Sequence, residues 1–137
     1  MTGNSVPTGT SSEQVREQAV RDMSALAQTV ARVRDDLQDY ASVIEHARED
    51  IASGSPVADM VARHRAGAVR ASFSDRLNEI ERARAASRLS MWQLQLSEGS
   101  TIADIARAWG YSRQLVSRAL ADPNRPQPEP TDPTEPD

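Results

Sequence analysis

The chain has no cysteine and no lysine. The first absence excludes disulfides and thiolate metal sites. The second makes every fixed side-chain cation an arginine, which fits GC-rich coding more than any chemistry. Aromatic residues are scarce: two Trp, two Tyr and one Phe. Three of these, Trp92, Trp109 and Tyr111, crowd into the last third, so one compact core is expected there and thinner helical packing elsewhere. No apolar run approaches the ~20 residues of a membrane helix, and the polar N-terminus lacks the apolar stretch of a signal peptide. A cytoplasmic protein with no membrane partner is therefore expected. The two histidines, His46 and His64, stand far apart in sequence, and adjacent acids such as Asp35-Asp36 and Glu49-Asp50 point away from one another on a helix. No phosphate-cradling glycine loop, nucleophile set or metal-ligand spacing is present. Neither an enzyme nor a cofactor or small-molecule site is expected.

What is present is arginine, unevenly placed. A length of 137 residues allows one or two small domains. The net charge is −4, but it varies along the chain. Residues 1–51 hold 5 Arg against 9 acids; residues 52–121 hold 10 Arg against 6 acids; residues 122–137 hold 1 Arg against 5 acids. The basic excess thus falls on the middle and C-terminal part of the chain, as contact with phosphates requires.

Residues 1–12 are small, polar and rich in turn formers, and are expected to be disordered. From Glu13 to about Ser53 apolar residues recur in steps of 4 and 3. Met23, Val30, Leu37 and Ile44 form one row, and Leu26, Val33, Tyr40 and Ala47 the other. This narrow heptad seam suits a contact between two helices, either within the chain or between subunits. Ser53-Gly54-Ser55-Pro56 ends that helix, with Gly54 expected in the left-handed C′ position and Pro56 in the first turn of the next helix. So short a link predicts an antiparallel α-hairpin. The second helix, 56 to about 80, is expected to turn Val57, Met60, Val61, Val69, Phe73, Leu77 and Ile80 inward, with a kink near Gly67. Its Arg63, Arg65, Arg70 and Arg76 are either a basic strip along DNA or a solvated face paired with acids of the first helix. At 81–88 the apolar rhythm breaks, and a domain handover is placed there, with a continuous helix allowed. After Asp122, prolines at every second or third position exclude helix and sheet and leave an acidic, extended tail.

The remaining stretch, Thr101 to Leu120, reads as a helix-turn-helix. Ile102, Ile105, Ala106 and Trp109 share one helical face; Tyr111, Val116, Ala119 and Leu120 supply the apolar side of a second helix. Gly110 is the pivot, able to take positive φ without a Cβ clash. Thr101 with Asp104 can cap the first helix and Ser112 the second. Leu89, Trp92 and Leu96 are expected to pack on Ile105, Trp109, Val116 and Leu120 as a third helix, closed by Gly99. Arg113, Gln114, Ser117 and Arg118 are left on the outer face of the second helix. Arginine matches the O6/N7 edge of guanine and glutamine the N6/N7 edge of adenine. Ser112 and Ser117 suit phosphate oxygens, which fix register.

The run T-I-A-D-I-A-R-A-W-G-Y-S-R-Q-L-V-S-R-A-L followed by Ala-Asp-Pro resembles the headpiece of the lactose-repressor (LacI/GalR) family. The resemblance spans about Thr101 to Pro123. It implies base reading by Arg113, Gln114 and Arg118 and phosphate contact by Ser112 and Ser117. Thr101, at the start of the motif, completes the candidate DNA-binding set. Here the motif is C-terminal, and Leu115 stands where a threonine is usual. The C-terminal helix-turn-helix of serine invertases and resolvases is also similar. The expected fold is all-α: a helical hairpin or coiled-coil dimerisation module at 13–80, then a tri-helical helix-turn-helix domain at 81–121, between disordered tails at 1–12 and 122–137. The expected partners are double-stranded DNA and a second copy of the chain, in a repressor-like regulator on the nucleoid. The alternative is a coiled-coil adaptor or nucleoid protein whose helix-turn-helix docks protein, or DNA without sequence preference.

Overall fold

The computed structural model describes residues 11–123, and these are all-helical: α1 Ser12–Ala52, α2 Val57–Arg63, α3 Ala66–Ser97, α4 Ile102–Trp109 and α5 Arg113–Ala121. The expected terminal tails lie outside the described residues, apart from their inner ends. Ser11 opens α1 as a cap: its hydroxyl accepts from the Gln14 N–H, while the Gln14 side chain accepts from the Ser11 N–H. The chain divides into two compact units, and the division falls inside α1 and α3.

The first unit is Ser24–Arg84. Within it α1 and α3 run antiparallel, as three pairings in opposite order require. Arg32 bonds Glu79 at 2.7 Å, Asp36 bonds Arg76 at 2.6 Å, and Tyr40 stacks on Phe73 with ring centroids 4.6 Å apart. Val33 is buried, while Leu26, Tyr40 and Ala47 are half-buried. The inner row of the seam therefore faces α3. Gly54 has φ 86°, as its C′ role requires, but Pro56 stands just outside α2 as its N-cap residue.

Two expectations fail here. Residues 56–80 are not one helix: the chain breaks at His64-Arg65, ahead of Gly67, and Arg65 takes φ 50°. The cause is tertiary. Asp50, at the end of α1, holds the His64 ring at 2.7 Å and the Arg63 guanidinium at 3.0 Å, which fixes the chain where α2 must stop. The break changes the phase of α2 relative to α3, and Val57 and Val61, expected inside, are exposed; Leu77 of α3 is exposed too, while Met60, Val69, Phe73 and Ile80 are half-buried. Arg63 and Arg76 pair with Asp50 and Asp36 of α1, whereas Arg65 and Arg70 are exposed.

The second unit joins the described residues up to Met23 with those from Ala85 onward. The start of α1 lies against the end of α3: Ala19 is buried, Arg16 bonds Glu98 at 2.5 Å, and the Ser90 hydroxyl bonds Asp22. α3 runs unbroken through 81–88. Its Trp92 forms the core with Ile105 and Ala106 of α4 and Val116 and Ala119 of α5; Leu89, Ile102, Tyr111, Leu115 and Leu120 pack around them. Leu96 and Trp109, expected inside, are exposed. Of the two tryptophans, Trp92 is the buried one. Trp109 sits edge-on to it at 6.2 Å, at the rim, where its indole N–H reaches the Gln95 side-chain oxygen at 2.8 Å. Among the described residues the buried Trp92 N–H finds no hydrogen-bond partner.

Candidate nucleic-acid interface

The α4–turn–α5 geometry follows from local chemistry. The Thr101 N–H donates to the Asp104 carboxylate at 3.0 Å and the Asp104 N–H returns a bond to the Thr101 hydroxyl at 3.1 Å, a complete capping box. Accepting the Thr101 N–H, with Arg107 at 2.7 Å, holds the Asp104 carboxyl below the usual carboxylate range; the Thr101 N–H is the largest cause. Gly110 ends α4 at φ 73°, and the Tyr111 N–H bonds back to the Ala106 carbonyl at 3.0 Å. The chain then turns to Ser112, whose hydroxyl accepts the Leu115 N–H at 3.1 Å and starts α5.

The turn leaves α5 with one buried and one open face. Val116 and Ala119 enter the core. Arg113, Gln114, Ser117 and Arg118 are exposed and line one shallow depression together with Ile102. Among the described residues no hydrogen bond or ion pair engages these four side chains. Ser112 and Thr101, also exposed, flank the group at the starts of α5 and α4. Both hydroxyls spend an acceptor site on a cap, and each retains an O–H that can donate to a phosphate oxygen.

Two features escape the sequence reading. Ile102, read as core, is half-buried and also lines the depression, adding an apolar edge next to the exposed polar side chains of α5. Arg88 lies over the Trp92 and Tyr111 rings, 5.6 and 5.1 Å from their centroids, and donates to the Tyr111 hydroxyl at 2.9 Å. This cation–π clamp ties α3 to the residue just after Gly110. The i,i+4 spacing of Arg88 and Trp92 is the only sequence signal for it.

Among the described residues, no group of His, Asp or Glu could hold a metal ion, and no helix is long and apolar enough to cross a membrane. No protein-family model, curated protein or solved structure matches the chain.

Proposed function

We propose that the chain is a sequence-specific, double-stranded DNA-binding regulator of repressor type that works as a homodimer on the nucleoid, with α5 in the major groove. One observation carries the reading: Arg113, Gln114 and Arg118 stand exposed, and unengaged by any of the described residues, on one face of a short helix whose other face is locked in the core. The first turn of a recognition helix is the part that reaches base edges, and Arg113 and Gln114 occupy it. Their donors match guanine and adenine edges, and Ile102 offers an apolar surface to a thymine methyl. Ser112, Ser117 and Thr101 supply neutral phosphate contacts that set the register.

The test is selection of bound duplexes from a random pool, followed by binding titrations on the enriched sequence at fixed salt. An enriched inverted repeat is expected. Arg113→Ala, Gln114→Ala and Arg118→Ala should each weaken binding by about 1–3 kcal/mol, roughly 5- to 150-fold, and relax the preference at one base pair. A pool with no enriched motif would favour the adaptor or nucleoid reading. Parent-like affinity in all three variants would refute base reading by α5.

A further inference from the structure

α1 covers one of its two apolar rows and leaves the other open. Val30, Leu37, Ile44 and Ile51, spaced by seven residues, are 44% to 55% exposed. The companion row, Leu26, Val33, Tyr40 and Ala47, is turned toward α3. Beside the open row, at one heptad position, stand Ala27, Arg34, Ala41 and Arg48, all exposed. An apolar groove runs along this face, lined by Val30, Leu37 and Ala41 with Ile80 of α3.

We propose that a second copy of α1 occupies this row, antiparallel, with Ala27 of each copy against Ile51 of the other and Ala41 against Leu37. This deepens the homodimer part of the reading above, but it rests on α1 alone and stands apart from DNA binding. Three observations select the occupant. A straight helix drifts about 20° per heptad, so a strict seven-residue row stays in contact only with a helix that carries the same repeat; α1 carries it. The row alternates large residues with Ala27 and Ala41, so a symmetric antiparallel pairing sets large against small at both ends of the seam. Charge then fixes the direction. A parallel pair would oppose Arg34 to Arg34 and Arg48 to Arg48. The antiparallel register instead brings Arg34 level with Ile44 of the partner subunit, next to Glu45 of the partner subunit, a carboxylate that already holds Arg48 of its own chain.

The absence of cysteine makes the test clean. A disulfide needs Cα atoms within about 7 Å, whereas antiparallel pairing keeps the two Ile51 positions roughly 36 Å apart at 1.5 Å per residue. Under mild oxidation Ile51→Cys alone and Ala27→Cys alone should stay unlinked, and an equimolar mixture should give the covalent dimer. Self-linkage of Ile51→Cys, or no linkage in the mixture, overturns the arrangement. Light scattering should give a dimer mass for the parent and a monomer mass for Leu37→Glu with unchanged helix content; a monomeric parent overturns the proposal. A duplex carrying a single half-site separates the two readings. If Leu37→Glu is monomeric and still binds it, both stand. If the parent is a monomer that binds it, only the dimer fails. If the cross-linked dimer binds no DNA, only the DNA reading fails.

Discussion

Two glycines test whether backbone conformation or available space governs the turn. Gly110 has φ 73°; Gly67, near the start of α3, is not in the positive-φ region. A Cβ built on either meets nothing within 4 Å, so sterics beyond the residue itself are equal. An L-residue held in the left-handed region loses about 1–2 kcal/mol, so Gly110→Ala should destabilise by that amount. Asn tolerates the region better, so Gly110→Asn should fall between alanine and the parent. Gly67→Ala should act in the opposite direction, stabilising by about 0.5–1 kcal/mol through the lower entropy of the unfolded chain. For a domain of this size 1 kcal/mol moves Tm by about 4–8 °C, so the two alanine variants should straddle the parent by a readable margin. Trp92 and Trp109 belong to the same unit as Gly110, so tryptophan fluorescence in urea follows that variant, and circular dichroism at 222 nm follows Gly67→Ala. Well below Tm, Gly110→Ala should match the parent in the duplex-binding test of the proposed function, because the open face of α5 is unchanged in the molecules that remain folded. A neutral Gly110→Ala, or an asparagine variant as unstable as alanine, would refute the argument from φ.

Trp92 offers a second test. Its unpartnered buried N–H carries a penalty of about 1–3 kcal/mol, so Trp92→Phe, which removes the N–H but opens a small void, should destabilise by no more than about 1 kcal/mol. Trp92→Ala should cost about 3–5 kcal/mol; urea unfolding distinguishes them, and a phenylalanine variant as unstable as alanine would show that the ring is needed for its shape alone. The acid limb of stability offers a third. Asp104, held low mainly by the Thr101 N–H, and Asp50, held low mainly by its bond to His64, have depressed folded-state values. Their contribution is therefore fully present above the ordinary carboxylate range and is lost as pH falls through those depressed values. The urea midpoint of the parent should drop there, and Asp104→Asn should flatten the drop measured by tryptophan fluorescence; an unchanged limb would place the titration elsewhere.

The α4–α5 region was legible because its signals are local. Thr101 and Asp104 close a capping box, Gly110 takes the left-handed turn, and Ser112 caps α5, all within twelve residues. The heptad rows of α1 were legible too, but a period does not say which row finds a partner inside the chain. That is decided by Tyr40 meeting Phe73 and Asp36 meeting Arg76, more than thirty residues away in sequence. Glycine is the obvious weak point, so the sequence predicts a kink near Gly67 in one helix, whereas the chain breaks ahead of it at His64-Arg65. The actual cause of the break, the Asp50 carboxylate fourteen residues earlier, leaves no local mark. Packing of Ala19 and Arg16 against the end of α3 was hidden for the same reason, since it depends on where the chain folds back.

The arrangement of arginines carries the last step. Arg16, Arg32, Arg48, Arg63, Arg76, Arg84 and Arg107 each hold a carboxylate within 3.0 Å. That is about half of the arginines among the described residues, so pairing is common without being the rule. In α5 the reason for its absence is visible in the composition: from Arg113 to Ala121 the helix contains no acid. Arg113 has Ser117 four residues on. Arg118 has Asp122, but the helix has ended there, with φ −132°, and no ion pair forms. Among the described residues, then, no acid compensates either cation, and Arg113, in the first turn, also meets the positive end of the helix dipole, which disfavours the isolated fold slightly and which a phosphate would relieve; Arg118 stands in the last turn, where the dipole favours a cation. A variant that restores local compensation, Ser117→Glu, should stabilise the free protein through an i,i+4 partner for Arg113 worth about 0.2–0.5 kcal/mol. By the same change it should weaken binding to the selected duplex through repulsion from the phosphates. Opposite signs in the two assays would show that the bare guanidinium face is kept for a ligand; a gain or loss in both together would argue that it is not.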